Sequence, residues 1–300
     1  LVDLYLLTVA DLSTTSPTSM TSWKARMLDG LFCATDAFMG HAAHEDDSLA
    51  QLEGQPDEDV ITRFVAGMPP RYPQSHTADE IAAHARLVES HLRRGTLASV
   101  ARIAEPDSAS VEAAQEVPIC IVAHARPGLL ASIAAVLTAA RLQVHAARIY
   151  SCRLEAGVLA VDTFWVQPEV TGDPLDVAAL EADLEKLLAE QISATDLVSR
   201  RPRRAGRSGP HVATKVVVDN RASEEHTVVE VFTRDRPGLL FALSHAIHSQ
   251  GLSIAVAKIV TEGTRVVDVF YVSSHAGKIV GRERIGALRA ALLAAIETLD

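Results

Sequence analysis

Cysteine is scarce in this chain: three in 300 residues, at Cys33, Cys120 and Cys152, with no spacing that suits a zinc site or a redox pair. A disulfide scaffold is therefore excluded as the source of stability, and a reducing, cytoplasmic setting is expected. Cys120 and Cys152 fall in apolar runs and read as small core residues. Aromatic residues make up only 4%, so stacking platforms for nucleic acid are not expected. Nor is there an excess of positive charge. The formal net charge is −10 and the pI about 5.6, which excludes a nucleic-acid surface as the default reading. No apolar run approaches the roughly 18 residues a membrane-spanning helix needs, and the first residues lack the basic start of a secretory signal.

Apolar residues, by contrast, make up 48% of the chain, enough for substantial cores, and a pattern occurs twice. Val117 to His124 is a β-rich run followed by Ala125-Arg126-Pro127-Gly128-Leu129-Leu130. Thr227 to Arg234 is followed by Asp235-Arg236-Pro237-Gly238-Leu239-Leu240. Pro127 and Pro237 are 110 positions apart, and Arg148-Ile149 matches Lys258-Ile259 at the same offset. Farther on, Asp162-Thr163-Phe164-Trp165-Val166 matches Asp268-Val269-Phe270-Tyr271-Val272 at an offset of 106. The four-residue difference falls at Gly157 and Gly263, where a turn tolerates a change of length.

Each copy reads as β-α-β-β-α with a last strand expected. Valine- and isoleucine-rich runs of five to ten residues give the strands. Leu129, Ile133 and Leu137 in the first copy, and Leu239, Leu243 and Ile247 in the second, recur at helical spacing. Pro127 and Pro237 suit a first helical turn, and Asp235 is placed to act near a cap. Leu180, Leu184 and Leu187, then Leu288, Leu292 and Ile296, mark the second helices. The expected fold class is α+β: a helical N-terminal segment, then two ferredoxin-like βαββαβ units with antiparallel sheets and helices on one face. The strand at 212–218 closes the first copy or pairs with the second; the sequence leaves both open. Asp162 and Asp268, each beside an aromatic strand residue, read as solvated turn or edge positions.

In the front third, Thr77-Ala78-Asp79-Glu80 forms a capping box for a helix running to Arg94. Ser16-Pro17 opens another with Trp23, Met27 and Leu31 at helical spacing. The chain starts inside an apolar helix, which reads as a fragment of a longer protein. His84 and His91 read as a solvated or packed helix face. His41 and His44 lack a third metal ligand. The run Arg200-Arg201-Pro202-Arg203-Arg204 reads as a solvated linker. The expected divisions are 1–43, 44–115 as a helical connector, 116–195, 196–224 as an Arg-rich linker with a possible edge strand, and 225–300.

The paired Arg-Pro-Gly-Leu-Leu turns, with the Asp-x-Phe-(Trp/Tyr)-Val strands, resemble ACT domains, regulatory modules that commonly bind amino acids. Tyr5 to Asp11 with Thr21-Ser22-Trp23-Lys24 resembles the end of the HD domain of the bifunctional PII uridylyltransferase/uridylyl-removing enzymes. Arg71-Tyr72 through His76-Thr77, with Ala83-His84-Ala85-Arg86, resembles their connecting segment. The resemblance implies residues 1–43 as an HD remnant, and ACT domains at 116–195 and 225–300. It implies glutamine as the amino acid sensed, the PII protein as partner through the parent enzyme, and nitrogen regulation as the role. It also implies a divalent metal, Mg or Mn, in the parent, with Asp11 as a metal ligand there only in an intact HD domain. The nucleotidyltransferase motif and the other HD ligands are missing, so this chain by itself is expected to have no catalytic residues, no cofactor and neither activity.

Ligand binding is expected at the two turns. Asp235, Arg236, Gly238, Leu239 and Leu240 form one candidate set, and Arg126, Gly128 and Leu129 the other. Unpaired N–H groups at a helix N-terminus favour a carboxylate, glycine admits close approach, and Asp235 is placed to receive an ammonium group. The first copy has Ala125 where the second has Asp235, which predicts tighter binding at the second. Pairing of the two units within the chain or in a homodimer would cover their sheet edges. The alternative is a free-standing amino-acid-binding or dimerisation module without enzyme activity.

Overall fold

The computed structural model describes residues 1–15, 28, 29, 31, 32, 35, 52, 57–70, 72–103, 116–170, 174–200, 212–262 and 265–299. The helix expected from Ser16-Pro17, the His41/His44 pair, the polar linker before the first repeat and the arginine run at 201–204 lie outside these residues.

The chain opens with helix α1 (Val2–Thr15), then α2 (Glu58–Gly67) and α3 (Ala78–Arg94). The predicted capping box is present: the Glu80 N–H donates to Thr77 Oγ1 and the Thr77 N–H to Glu80 Oε2. Gly95 ends α3 in the left-handed conformation that only glycine adopts without steric cost. The first repeat contains β1 (Ala98–Arg102), β2 (Val117–His124), α4 (Leu129–Ala139), β3 (Leu142–Leu154), β4 (Gly157–Pro168), α5 (Val177–Leu188) and α6 (Ala194–Ser199). The second contains β5 (Lys215–Asp219), β6 (Thr227–Arg234), α7 (Leu239–Ser249), β7 (Ser253–Glu262), β8 (Arg265–Ser273) and α8 (Arg282–Glu297).

The strands form a single antiparallel sheet in the order β1-β2-β4-β3-β7-β8-β6-β5. Each half is a four-stranded unit. Each edge strand precedes its unit rather than closing it, which corrects the expected βαββαβ order. β1 lies in a stretch read as helical and pairs with β2 from Ala98↔Ala123 to Arg102↔Ile119. The strand near 212–218 belongs to the second unit, as β5 on β6. An edge needs only a chain segment beside it, and a segment preceding the unit fills it as well as one that follows.

The two halves join within the chain, where Ala146, Ala147 and Arg148 of β3 pair with Val260, Ile259 and Lys258 of β7. Helices α4 and α7 pack together across this seam. One hydrophobic core runs beneath both units, from Ile121, Ile133 and Phe164 to Val231, Leu243 and Phe270. Alternate residues of β2 face opposite ways. Ile119, Ile121 and Ala123 enter that core, while Cys120 and Val122 enter a second one with Phe64, Tyr72, Ile81 and Val88. Thus α2 and α3 cover the other face of the first unit, and the expectation of helices on one face holds only for the second. In β6, Glu230, Phe232 and Arg234 remain partly exposed. Cys120 and Cys152 are buried free thiols, as expected.

Candidate functional site

The seam is paired only in its middle. On either side of the three bonded residues the halves part, and a cleft opens at each end. Both clefts are built alike, from the Arg-Pro-Gly turn of one unit and the helix and strand of the other.

Gly128 and Gly238 immediately precede α4 and α7, with φ of 78° and 83°. A side chain there would be strained by the backbone alone, and it would also strike the other unit. A Cβ on Gly128 would lie 2.9 Å from the His248 ring at the end of α7. One on Gly238 would lie 3.2 Å from Thr138 at the end of α4. The glycines therefore bring each helix N-terminus against the opposite unit. The helices begin at Leu129 and Leu239, so Pro127 and Pro237 fall in the turn before the helix and not inside its first turn.

The first cleft holds Asp235, Arg236, Gly238, Leu239 and Leu240 from the second unit, facing Thr138 and Gln143 from the first. All five residues singled out in the second turn are thus brought together. Asp235 does not cap α7, which lacks a side-chain cap. Its Oδ2 instead accepts from Gln143 Nε2 across the seam. Burial pushes the Asp235 carboxyl above the usual carboxylate range, opposed by the Gln143 hydrogen bond, His145 and the Arg236 backbone. Arg236 donates to Thr233 Oγ1 at 3.4 Å.

The second cleft holds Arg126, Gly128 and Leu129 with Ala125, facing His248 and Ser253. Arg126 also anchors the end of α5, donating to the Leu188 carbonyl at 2.8 Å. At positions equivalent to Asp235, Gln143 and His145 stand Ala125, Ser253 and Ala255. The second cleft therefore has no acid at its turn.

Each cleft also has a buried acid along its strand. Asp268 borders the first and Asp162 the second, 1% and 2% exposed. This corrects their reading as solvated positions. Asp162 accepts from the Tyr150 N–H, its Oδ1 has no hydrogen-bond partner, and burial raises its pKa to about 8. The sequence did carry the signal: a carboxylate in the middle of an apolar strand, at the same place in both repeats.

Asp11 lies on the exposed surface of α1, in neither cleft. No group of three or more His, Cys, Asp or Glu able to hold a metal occurs among the described residues, so the ligand set that Asp11 would need is not assembled there. Among these residues no helix is long and apolar enough to cross a membrane.

A family model for the ACR9-like, ACT-like domain matches residues 215–298, from β5 to the end of α8. Proteins named bifunctional uridylyltransferase/uridylyl-removing enzyme align along 98% of the chain: that of Gluconobacter oxydans at 35% identity, of Azospirillum brasilense at 32% and of Phenylobacterium zucineum at 34%. This chain is homologous to a C-terminal part of those enzymes. It spans 32% of the length of each. The seam joins the unit matched by that family model, residues 215–298, to its sequence repeat.

Proposed function

We propose that this chain is the amino-acid-sensing part of a bifunctional uridylyltransferase/uridylyl-removing enzyme, with glutamine as ligand and the PII signalling protein as the target of the whole enzyme. One observation carries the reading: the first cleft is assembled from both units, with Asp235 and Gln143 facing each other across the seam. The N-terminal N–H groups of α7 offer partial positive charge to a ligand carboxylate. Asp235 receives the ammonium group, exchanging its bond from Gln143 for a stronger charged one. A ligand held this way touches both units and favours one arrangement of the seam. Differential affinity of about 1–3 kcal/mol between two arrangements is enough for a several-fold to hundredfold shift in the attached activities. The activities themselves belong to the segment the relatives have in addition. A divalent metal, with Asp11 among its ligands, would belong to an intact HD domain of the whole enzyme.

Calorimetric titration of the chain with L-glutamine, against L-glutamate, tests the reading. Saturable binding selective for glutamine is expected, weakened at least tenfold, about 1.4 kcal/mol, by Asp235→Ala. Unchanged binding by that variant would remove Asp235 as the ammonium partner.

A further inference from the structure

The sheet ends on two strands that differ in how their outer sides are treated. At one end, β1 is closed off by its own chain. The Val100 N–H donates to Glu181 Oε2 at 2.7 Å, and Arg94 holds Glu181 Oε1 at 2.8 Å. Arg102 donates to the Leu175 carbonyl at 2.9 Å, so α5 and the segment leading into it lie against that strand. At the other end, β5 pairs with β6 on one side and with no strand on the other among the described residues. A strand edge of this kind presents a row of backbone N–H and C=O groups to a second chain. β5 carries neither a proline nor a bulge to prevent such pairing. Its lysine, which would ordinarily discourage a neighbour, has an acid at the far end of the same strand to answer it.

The strand reads Lys215-Val216-Val217-Val218-Asp219, which is its own antiparallel complement. Turned about a two-fold axis at Val217, it places Lys215 opposite Asp219 of the partner subunit and Asp219 opposite Lys215 of the partner subunit. Valine meets valine at the three positions between. Directly opposite residues in an antiparallel pair lie on the same face. Val216 and Val218 face the core, and Lys215 and Asp219 face away from it, so this register keeps valine beneath and charge above in both copies. A slip of one residue would set the core side of one copy against the open side of the other. A slip of two would lose both charge pairs. Asp219 Oδ1 accepts from the Arg221 N–H at 2.7 Å, which leaves Oδ2 for the lysine. We infer that β5 is the surface through which two copies of this chain associate, by antiparallel pairing of β5 with β5 into one continuous sheet.

The two-fold axis uses the open edge of both copies at once, and β1 is closed, so association stops at two. Its strength is modest. Five residues at about 3.3 Å each give about 17 Å of paired edge, which buries less than the roughly 800 Å² per partner of a standard interface. The dimer therefore dissociates on dilution, unlike the covalently joined seam. β5 lies three strands from β7 and borders neither cleft. The pairing is thus independent of what the clefts bind.

Sedimentation velocity of the whole chain, over a wide range of concentration, tests the inference. An equilibrium between monomer and dimer is expected. Lys215→Asp and Asp219→Lys each turn two cross-strand attractions into two repulsions. Each is expected to weaken self-association by about tenfold. Mixed together, the two variants again oppose unlike charges at both ends, and a dimer of one with the other is expected at the original strength. A chain carrying both substitutions is expected to recover self-association in the same way. Recovery separates pairing from a structural effect. The doubly reversed chain still lacks the Lys215 contact over the Phe232 ring, at 5.9 Å, and the Asp219 bond to the Arg221 N–H. Thermal unfolding in dilute solution checks that each variant is folded. A chain that stays monomeric when concentrated overturns the inference. So does a species larger than a dimer, a dimer indifferent to both reversals, or a mixture that does not recover.

Discussion

At the scale of single residues, the glycines and the buried acids carry most of the consequence. Gly128 has a left-handed backbone and meets the His248 ring, so Gly128→Ala is expected to destabilise the fold by about 1–3 kcal/mol. Gly238→Ala, facing the Thr138 methyl at a longer distance, is expected to cost less. Urea unfolding of both variants measures the difference. His248→Ala added to Gly128→Ala removes the clash but not the backbone strain, so a coupling energy above zero is expected from the double-mutant cycle. The turns were legible in the sequence because Pro-Gly before an apolar helical run has a direct conformational meaning. The repeat marked Asp162 and Asp268 as matching positions but not as buried ones. An acid in a strand is normally solvated, and only the cleft against the opposite unit explains how a carboxyl is kept inside. Gln143, Thr138, His248 and Ser253 were missed for the same reason: they join the turns by the pairing of β3 with β7, about which a single repeat says nothing.

At the scale of elements, the α2–α3 pair on the first unit is held by a buried polar cluster. The Tyr72 hydroxyl lies 2.5 Å from His84 Nδ1, and His84 Nε2 lies 3.3 Å from Thr163 Oγ1 on β4. His76 stacks on Tyr72 at 4.1 Å between ring centroids. Burial lowers the pKa of His76 to about 3 and of His84 to about 4, with Arg148 adding to both shifts and the His76 contact with the Tyr72 carbonyl opposing its own. Both histidines are neutral in the fold and protonate near pH 6.5 when unfolded. Their neutral packing is fully compatible with stability above pH 6.5. Below it the unfolded chain binds protons that the fold refuses, so stability falls from pH 6.5 towards 4, by on the order of 3 kcal/mol per histidine. Urea unfolding at pH 7.5 and 5 is expected to show this loss, and His84→Gln is expected to remove about half of it, leaving the share of His76. The helix itself was legible, since the Thr77 capping box is a local signal; Thr77→Ala is expected to cost about 1 kcal/mol. Its place on the sheet showed only in the composition of β2. Val117 to Ala123 is apolar at nearly every position because both faces are covered, whereas Thr227 to Arg234 alternates because one face is partly open. The short edge strands β1 and β5 have too few residues to announce their partner.

At the scale of the whole molecule, two units close one seam, with a continuous core beneath and a cleft at each end. The repeat predicted two like units and the structure joins them, but the join could not be read from either copy, because β3 and β7 are both apolar in patches and each is a plausible edge. A ligand bound in either cleft contacts both units, so it opposes their separation. Ligand at a hundred times its dissociation constant is expected to add about 2.7 kcal/mol to unfolding, which thermal denaturation with and without L-glutamine measures. No such rise in the presence of saturating ligand would separate binding from the seam.

Because the two halves of each cleft are linked covalently, each always meets the other at the high effective concentration set by the connecting chain. Dilution does not take the clefts apart, as it would for a pair of separate chains. On the proposed reading, the ligand level at which a cleft half fills is consequently independent of how much of the protein is present.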